Sequence, residues 1–97
     1  MPTYIILGKF THEGATKIKD SPKRLEAARQ VIKSHGGELK KFYYTLGSYD
    51  FVGIAEAPNE EAVMKTMMSI GAKGAVSTET LVAFPSDKAG EMIKELP

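Results

Sequence analysis

Leu39-Lys40-Lys41-Phe42-Tyr43-Tyr44-Thr45-Leu46, then Gly47-Ser48-Tyr49-Asp50, then Phe51-Val52-Gly53-Ile54-Ala55-Glu56-Ala57 is the stretch from which the fold follows. The first segment is rich in aromatic residues and the last is a short apolar run, as strands are, while the four residues between them are turn formers. Together they read as a β-hairpin in the middle of the chain.

Outward from the hairpin, each side carries a helix and then a strand. Upstream, Ser21 reads as an N-cap with Pro22 at the first helical position, and Leu25, Ala28, Ile32 and His35 recur at helical spacing until Gly36-Gly37. Before it comes a ten-residue loop, Thr11 to Asp20, and before that Thr3 to Phe10, a short β-branched and aromatic strand. Downstream, Asn59 reads as an N-cap, with Glu60 and Glu61 where a helix dipole favours negative charge. Val63, Met67 and Ile70 continue that helix, Gly71 to Gly74 ends it, and Val76, Thr78, Thr80, Val82 and Phe84 alternate along a last strand. After Pro85, Ser86 reads as the cap of a short tail helix with Ala89, Met92, Ile93 and Leu96 on one stripe.

The order strand, helix, strand, strand, helix, strand predicts an α+β ferredoxin-like βαββαβ sandwich, one domain over residues 1–97. Right-handed crossovers place the first and third strands in the centre of a four-stranded antiparallel sheet, with two helices on one face and the short C-terminal helix appended. Both central strands are apolar on both sides: Tyr4 and Ile6 against Ile5 and Leu7, Val52 and Ile54 against Phe51, Gly53 and Ala55. A sheet wet on one face would alternate with polar residues. The second face is therefore expected to pair with another copy, giving a homodimer or a higher homo-oligomer.

Composition narrows the function. With no cysteine there is no disulfide, thiolate zinc site or cysteine nucleophile. No apolar run is long enough to span a membrane and no leader precedes the first strand, so a cytoplasmic protein without membrane partners is expected. The net charge of +1 conceals an asymmetry: residues 9 to 41 hold nine Lys or Arg against four Asp or Glu, and the rest four against eight. The positive region suits a small anionic ligand or self-association, or is simply a solvated helix face; the domain is far too weakly basic for nucleic acid. The two histidines and scattered carboxylates form no metal set, no phosphate loop or catalytic triad is present, and no cofactor is expected.

The stretch Phe42 to Val52 with Gly47-Ser48-Tyr49-Asp50 at its centre, followed by Glu56-Ala57-Pro58-Asn59-Glu60-Glu61-Ala62, resembles the GYD-domain family of small bacterial and archaeal proteins, Ser48 standing inside its Gly-Tyr-Asp signature. Gly36-Gly37 and Ser77-Thr78-Glu79-Thr80 extend the likeness over nearly the whole chain. The resemblance implies a ferredoxin-like fold of the dimeric α/β barrel kind and no particular activity.

Strand order brings three loops to one sheet edge: Thr11 to Asp20, Gly47 to Asp50, and Gly71 to Gly74. That edge is the candidate site, because long loops on a rigid scaffold so often carry function. There His12 is a candidate acid or base, Asp50 its orienting partner and Tyr49 a hydrogen-bond donor. Lys17 or Lys19 would hold an anion beside a helix start. Each also has a structural reading: His12 as a plain surface residue, Asp50 and Tyr49 as turn and packing residues, the lysines as a solvated run. His35 fits a cation at a helix C-terminus, and the methionines Met64, Met67 and Met68 fit core or contact packing. Three functions stay open. One is a homo-oligomeric module that binds a small anionic or aromatic molecule, in a regulatory role, between sheet and helices or at the loop edge. Another is a cofactor-independent enzyme of oxygenase or isomerase type using His12, Tyr49 or Tyr43. The third is a structural assembly subunit.

Overall fold

The computed structural model describes residues Met1–Pro97. Its elements run β1 (Thr3–Phe10), α1 (His12–Thr16), a 3-10 turn (Ile18–Asp20), α2 (Ser21–Ser34), β2 (Glu38–Tyr44), β3 (Phe51–Glu56), α3 (Glu60–Gly71), β4 (Val76–Ala83) and α4 (Ser86–Lys94). The strands make one antiparallel sheet in the order β2-β3-β1-β4, with β1 and β3 central as their apolar content requires. This is the expected α+β ferredoxin-like arrangement.

Burial alternates along the central strands. Tyr4, Ile6 and Gly8 of β1 and Phe51, Gly53 and Ala55 of β3 are buried, whereas Ile5, Leu7, Val52 and Ile54 between them are half-buried. Ile6, Leu39, Ala55 and Ile32 of α2 form the core, and Leu25 of α2 and Met67 of α3 pack on it with Phe42. Both long helices thus cover the same face. At the C-terminus of α2, His35 Nδ1 lies 3.0 Å from the Val31 carbonyl and 3.4 Å from the Thr66 hydroxyl of α3, which ties the two helices at that end.

Strand β2 is not regular. Leu39 pairs with Ala55 and Lys41 with Ile54, so a bulge at Lys40 breaks the alternation. The extra residue points Leu39 and Phe42 inward and Lys41 outward. Gly8 allows a second close fit, since a Cβ there would fall 1.9 Å from the ring of Phe51. Phe51 in turn stacks on Phe42 with ring centroids 5.2 Å apart and tilts against Phe10 at 5.7 Å.

Three local expectations are corrected. Thr11 to Asp20 is no open loop: the Thr11 hydroxyl accepts the Gly14 N–H at 3.1 Å, capping α1, and the 3-10 turn follows. Because that turn runs straight into α2, Asp20 occupies the N-cap position with helical dihedrals and Ser21 is not the cap. The Ser21 hydroxyl instead lies 2.9 Å from the Tyr44 hydroxyl. Ser86 is likewise inside α4, with Pro85 before it and no side-chain cap. Asn59 does cap α3, its Oδ1 accepting the Ala62 N–H at 2.9 Å.

Helix α4 makes no substantial packing contact with any other element, and the molecule is accordingly long, 51 × 30 × 17 Å. Its apolar stripe is open: Met92 is 41%, Ile93 63% and Leu96 66% exposed. No helix is long and apolar enough to cross a membrane.

Candidate functional site

At the edge where β1 ends and β3 and β4 begin, side chains knit the loops together. Asp50 Oδ2 accepts the Phe10 N–H at 2.8 Å while the Asp50 N–H donates to the Gly8 carbonyl at 2.7 Å, extending the β1–β3 ladder past its last residue pair. Thr45 closes the hairpin loop, its N–H donating to the Asp50 carbonyl at 2.9 Å and its hydroxyl to the Tyr49 carbonyl at 2.6 Å. Thr11 donates from its hydroxyl to the Gly74 carbonyl at 2.6 Å and from its N–H to the Ala75 carbonyl at 3.1 Å. Gly14 completes the seam, because a Cβ there would lie 1.9 Å from the Ala75 carbonyl oxygen.

The five residues singled out in the sequence do not share one site. Asp50 is spent on backbone N–H and does not contact His12, whose exposed imidazole makes no hydrogen bond at the start of α1. Tyr49 belongs to the other face of the sheet. Its hydroxyl donates to Glu79 Oε1 at 3.0 Å, and Lys9 Nζ stands 5.4 Å from its ring centroid. The Glu79 carboxylate beside it, by hydrogen bond and by charge, holds the Tyr49 phenol above the usual tyrosine range. Lys17 Nζ is 3.8 Å from Glu13 Oε1, and Lys19 is exposed in the 3-10 turn. Nowhere do three or more His, Asp or Glu side chains gather as a metal site requires.

What the same edge does open on is a cavity between the sheet and the two long helices, about 130 Å³ in volume. Its walls are apolar, with Ile6, Leu25, Phe51, Met67 and Ile70 among them, and the aromatic row of Phe10, Phe51 and Phe42 lies along the sheet side. Small residues leave the room: Ala27 and Ala28 on α2, Gly53 on β3 and Ala75 before β4 all line it. For scale, a cavity of about 150 Å³ lined by aliphatic and aromatic side chains admits benzene. The lining also holds Arg24 and Lys73, and no carboxylate. Arg24 is half-buried and donates to the carbonyls of Lys17 at 3.0 Å and Gly14 at 3.2 Å, fastening α1 and the 3-10 turn beside α2. Sequence patterning had no means of showing this void. The one available signal was the pair of adjacent alanines on a helix face that otherwise presents Leu25 and Ile32.

Among known proteins, residues 4–93 match the GYD domain. A Thermus thermophilus protein named glutamine synthetase and cystathionine beta-lyase binding protein is 35% identical over 86 residues, which is 88% of this chain and 90% of that protein. Two solved structures share the fold. One, of a protein from Thermus thermophilus, superposes with a TM-score of 0.56 at 23% identity, covering 88% of this chain and 95% of that one. The feast or famine regulatory protein from M. tuberculosis, complexed with L-methionine, gives 0.66 at 14% identity over 88% of this chain and 51% of its own.

Proposed function

As the chain belongs to the GYD-domain family, matched over residues 4–93, we propose that it is a cytoplasmic, homodimeric regulatory module that binds a small, largely apolar molecule between its sheet and its two long helices. The observation that carries this reading is the cavity of about 130 Å³ in a domain of only 97 residues. Protein interiors pack to the density of organic crystals, and an empty void costs stability in proportion to its volume. A chain this small has little to spare. A void that opens at the loop-bearing edge is best understood as a place for a ligand. The relative named for binding two enzymes supports a binding role over a chemical one. So does the site geometry, because His12, Tyr49 and Asp50 are not assembled to pass a proton.

The test is a titration with benzyl alcohol followed by the methyl resonances of Met67 and Ile70, which line the cavity. Both are expected to shift and saturate at millimolar concentration. In Ala28→Leu the added side chain fills the space, so the shifts are expected to vanish while the melting temperature stays within about 4 °C of the parent. Methyl resonances that do not respond to the probe in the parent protein would remove the reading.

A further inference from the structure

The cavity's polar groups are few, and their sign is uniform. Of the residues lining it only Ser21, Arg24, Lys73 and Thr78 are polar, two are cations, and no carboxylate is among them. The nearby acids stand outside the lining: Glu13 is 3.8 Å from Lys17, and Asp20 is exposed at the start of α2. Lys73 has no carboxylate within ion-pair distance, unlike Lys17, Lys40 and Lys65. Arg24 has committed one N–H from each terminal nitrogen to a carbonyl, and its remaining donors are free. The charged groups that line this otherwise apolar space are therefore both cations, and together they favour a negative charge.

We propose that the occupant is a small carboxylate, its apolar part a ring or branched chain of about six carbons among Ile6, Leu25, Met67 and Ile70, its carboxylate directed to Lys73 and Arg24. The inference rests on the cavity being a ligand site and adds the ligand's charge. An amine of the same shape would set a cation beside two others, and a neutral alcohol would leave both cations unanswered.

Isothermal titration calorimetry with benzoate, benzyl alcohol and benzylamine separates these cases. Benzoate is expected to bind at least about tenfold more tightly than benzyl alcohol, the order of effect of one charge-assisted contact, and benzylamine more weakly than either. In Lys73→Gln, a change at an exposed side chain without an ion pair, the preference for benzoate is expected to fall several-fold, and in Lys73→Arg to return. Benzyl alcohol binding as tightly as benzoate would overturn the carboxylate assignment and leave the cavity reading standing. A preference for benzoate unchanged in Lys73→Gln would overturn the role of Lys73. Failure of all three probes to bind would overturn both this inference and the reading beneath it.

Discussion

Gly8 shows how much a single position constrains this molecule. Strand β1 passes so close to the ring of Phe51 that even a methyl group meets it at 1.9 Å, and the ring is itself held between Phe42 and Phe10. Gly8→Ala is expected to cost about 1–3 kcal/mol, seen as a lower urea midpoint with unchanged slope. An unaltered midpoint would mean the aromatic row is free to move. On the opposite face, the Tyr49–Glu79 bond ties stability to pH. Because the folded Tyr49 phenol titrates above its ordinary value of 10.0, its contribution is complete below that pH and is lost as pH rises through the folded value. Absorbance titration should find Tyr49 deprotonating late, and Glu79→Gln should return it to the ordinary range. Asp50 marks the limit of reading at this scale. A turn aspartate was expected to serve its own loop, yet its carboxylate reaches Phe10, forty residues back along the chain. Only strand register makes those two neighbours, and no local pattern encodes it.

At the scale of elements, periodicity located every strand and both long helices; β1, α2, β2 and β3 supply the core and Met67 of α3 packs on it. It missed α1, whose five residues are too few for a period to show and whose stability comes from the Thr11 cap and the Gly14–Ala75 contact. It also missed the bulge in β2. Strict alternation puts Leu39 and Lys41 on one face, whereas the extra residue at Lys40 lets Leu39 be buried and Lys41 exposed. Deleting Lys40 removes the bulge and leaves Leu39, Lys41 and Phe42 in strict alternation opposite Ala55, Ile54 and Gly53, so both core side chains keep their places. The deletion is therefore expected to keep a cooperative transition with a melting temperature within about 8 °C of the parent, and loss of cooperativity would show that the bulge itself is needed to shape the sheet. For α4 the amphipathic pattern was legible and its environment was not, because no other element packs substantially on it and the stripe of Met92, Ile93 and Leu96 stays largely exposed.

For the whole molecule the most informative surface is the sheet face away from the helices. Ile5, Leu7, Val52 and Ile54 lie across its centre, with Tyr43 52% and Leu81 39% exposed beside them, and Lys9, Lys41, Glu56 and Glu79 around the margin. An apolar centre with a charged rim is the make-up of a protein interface. Its existence was readable from the two-sided strands; the cavity on the other side, which depends on side-chain volumes in three dimensions, was not. Two copies joined here are expected to bury at least about 1,200 Å². Sedimentation at micromolar concentration should show a dimer, and Ile54→Glu a folded monomer with unchanged far-ultraviolet circular dichroism. A monomeric parent protein would end the dimer reading. The sheet's two outer strands also differ in a way that matters when the protein is stressed. Strand β2 is guarded by its bulge and by Glu38, Lys40 and Lys41, the means by which natural sheets resist adding foreign strands. Strand β4 is eight residues long and unbulged, with Val82 58% exposed and Phe84 just beyond it at 55%. Partly melted molecules will therefore aggregate by accretion along β4, and protection against fibril growth belongs on that flank alone.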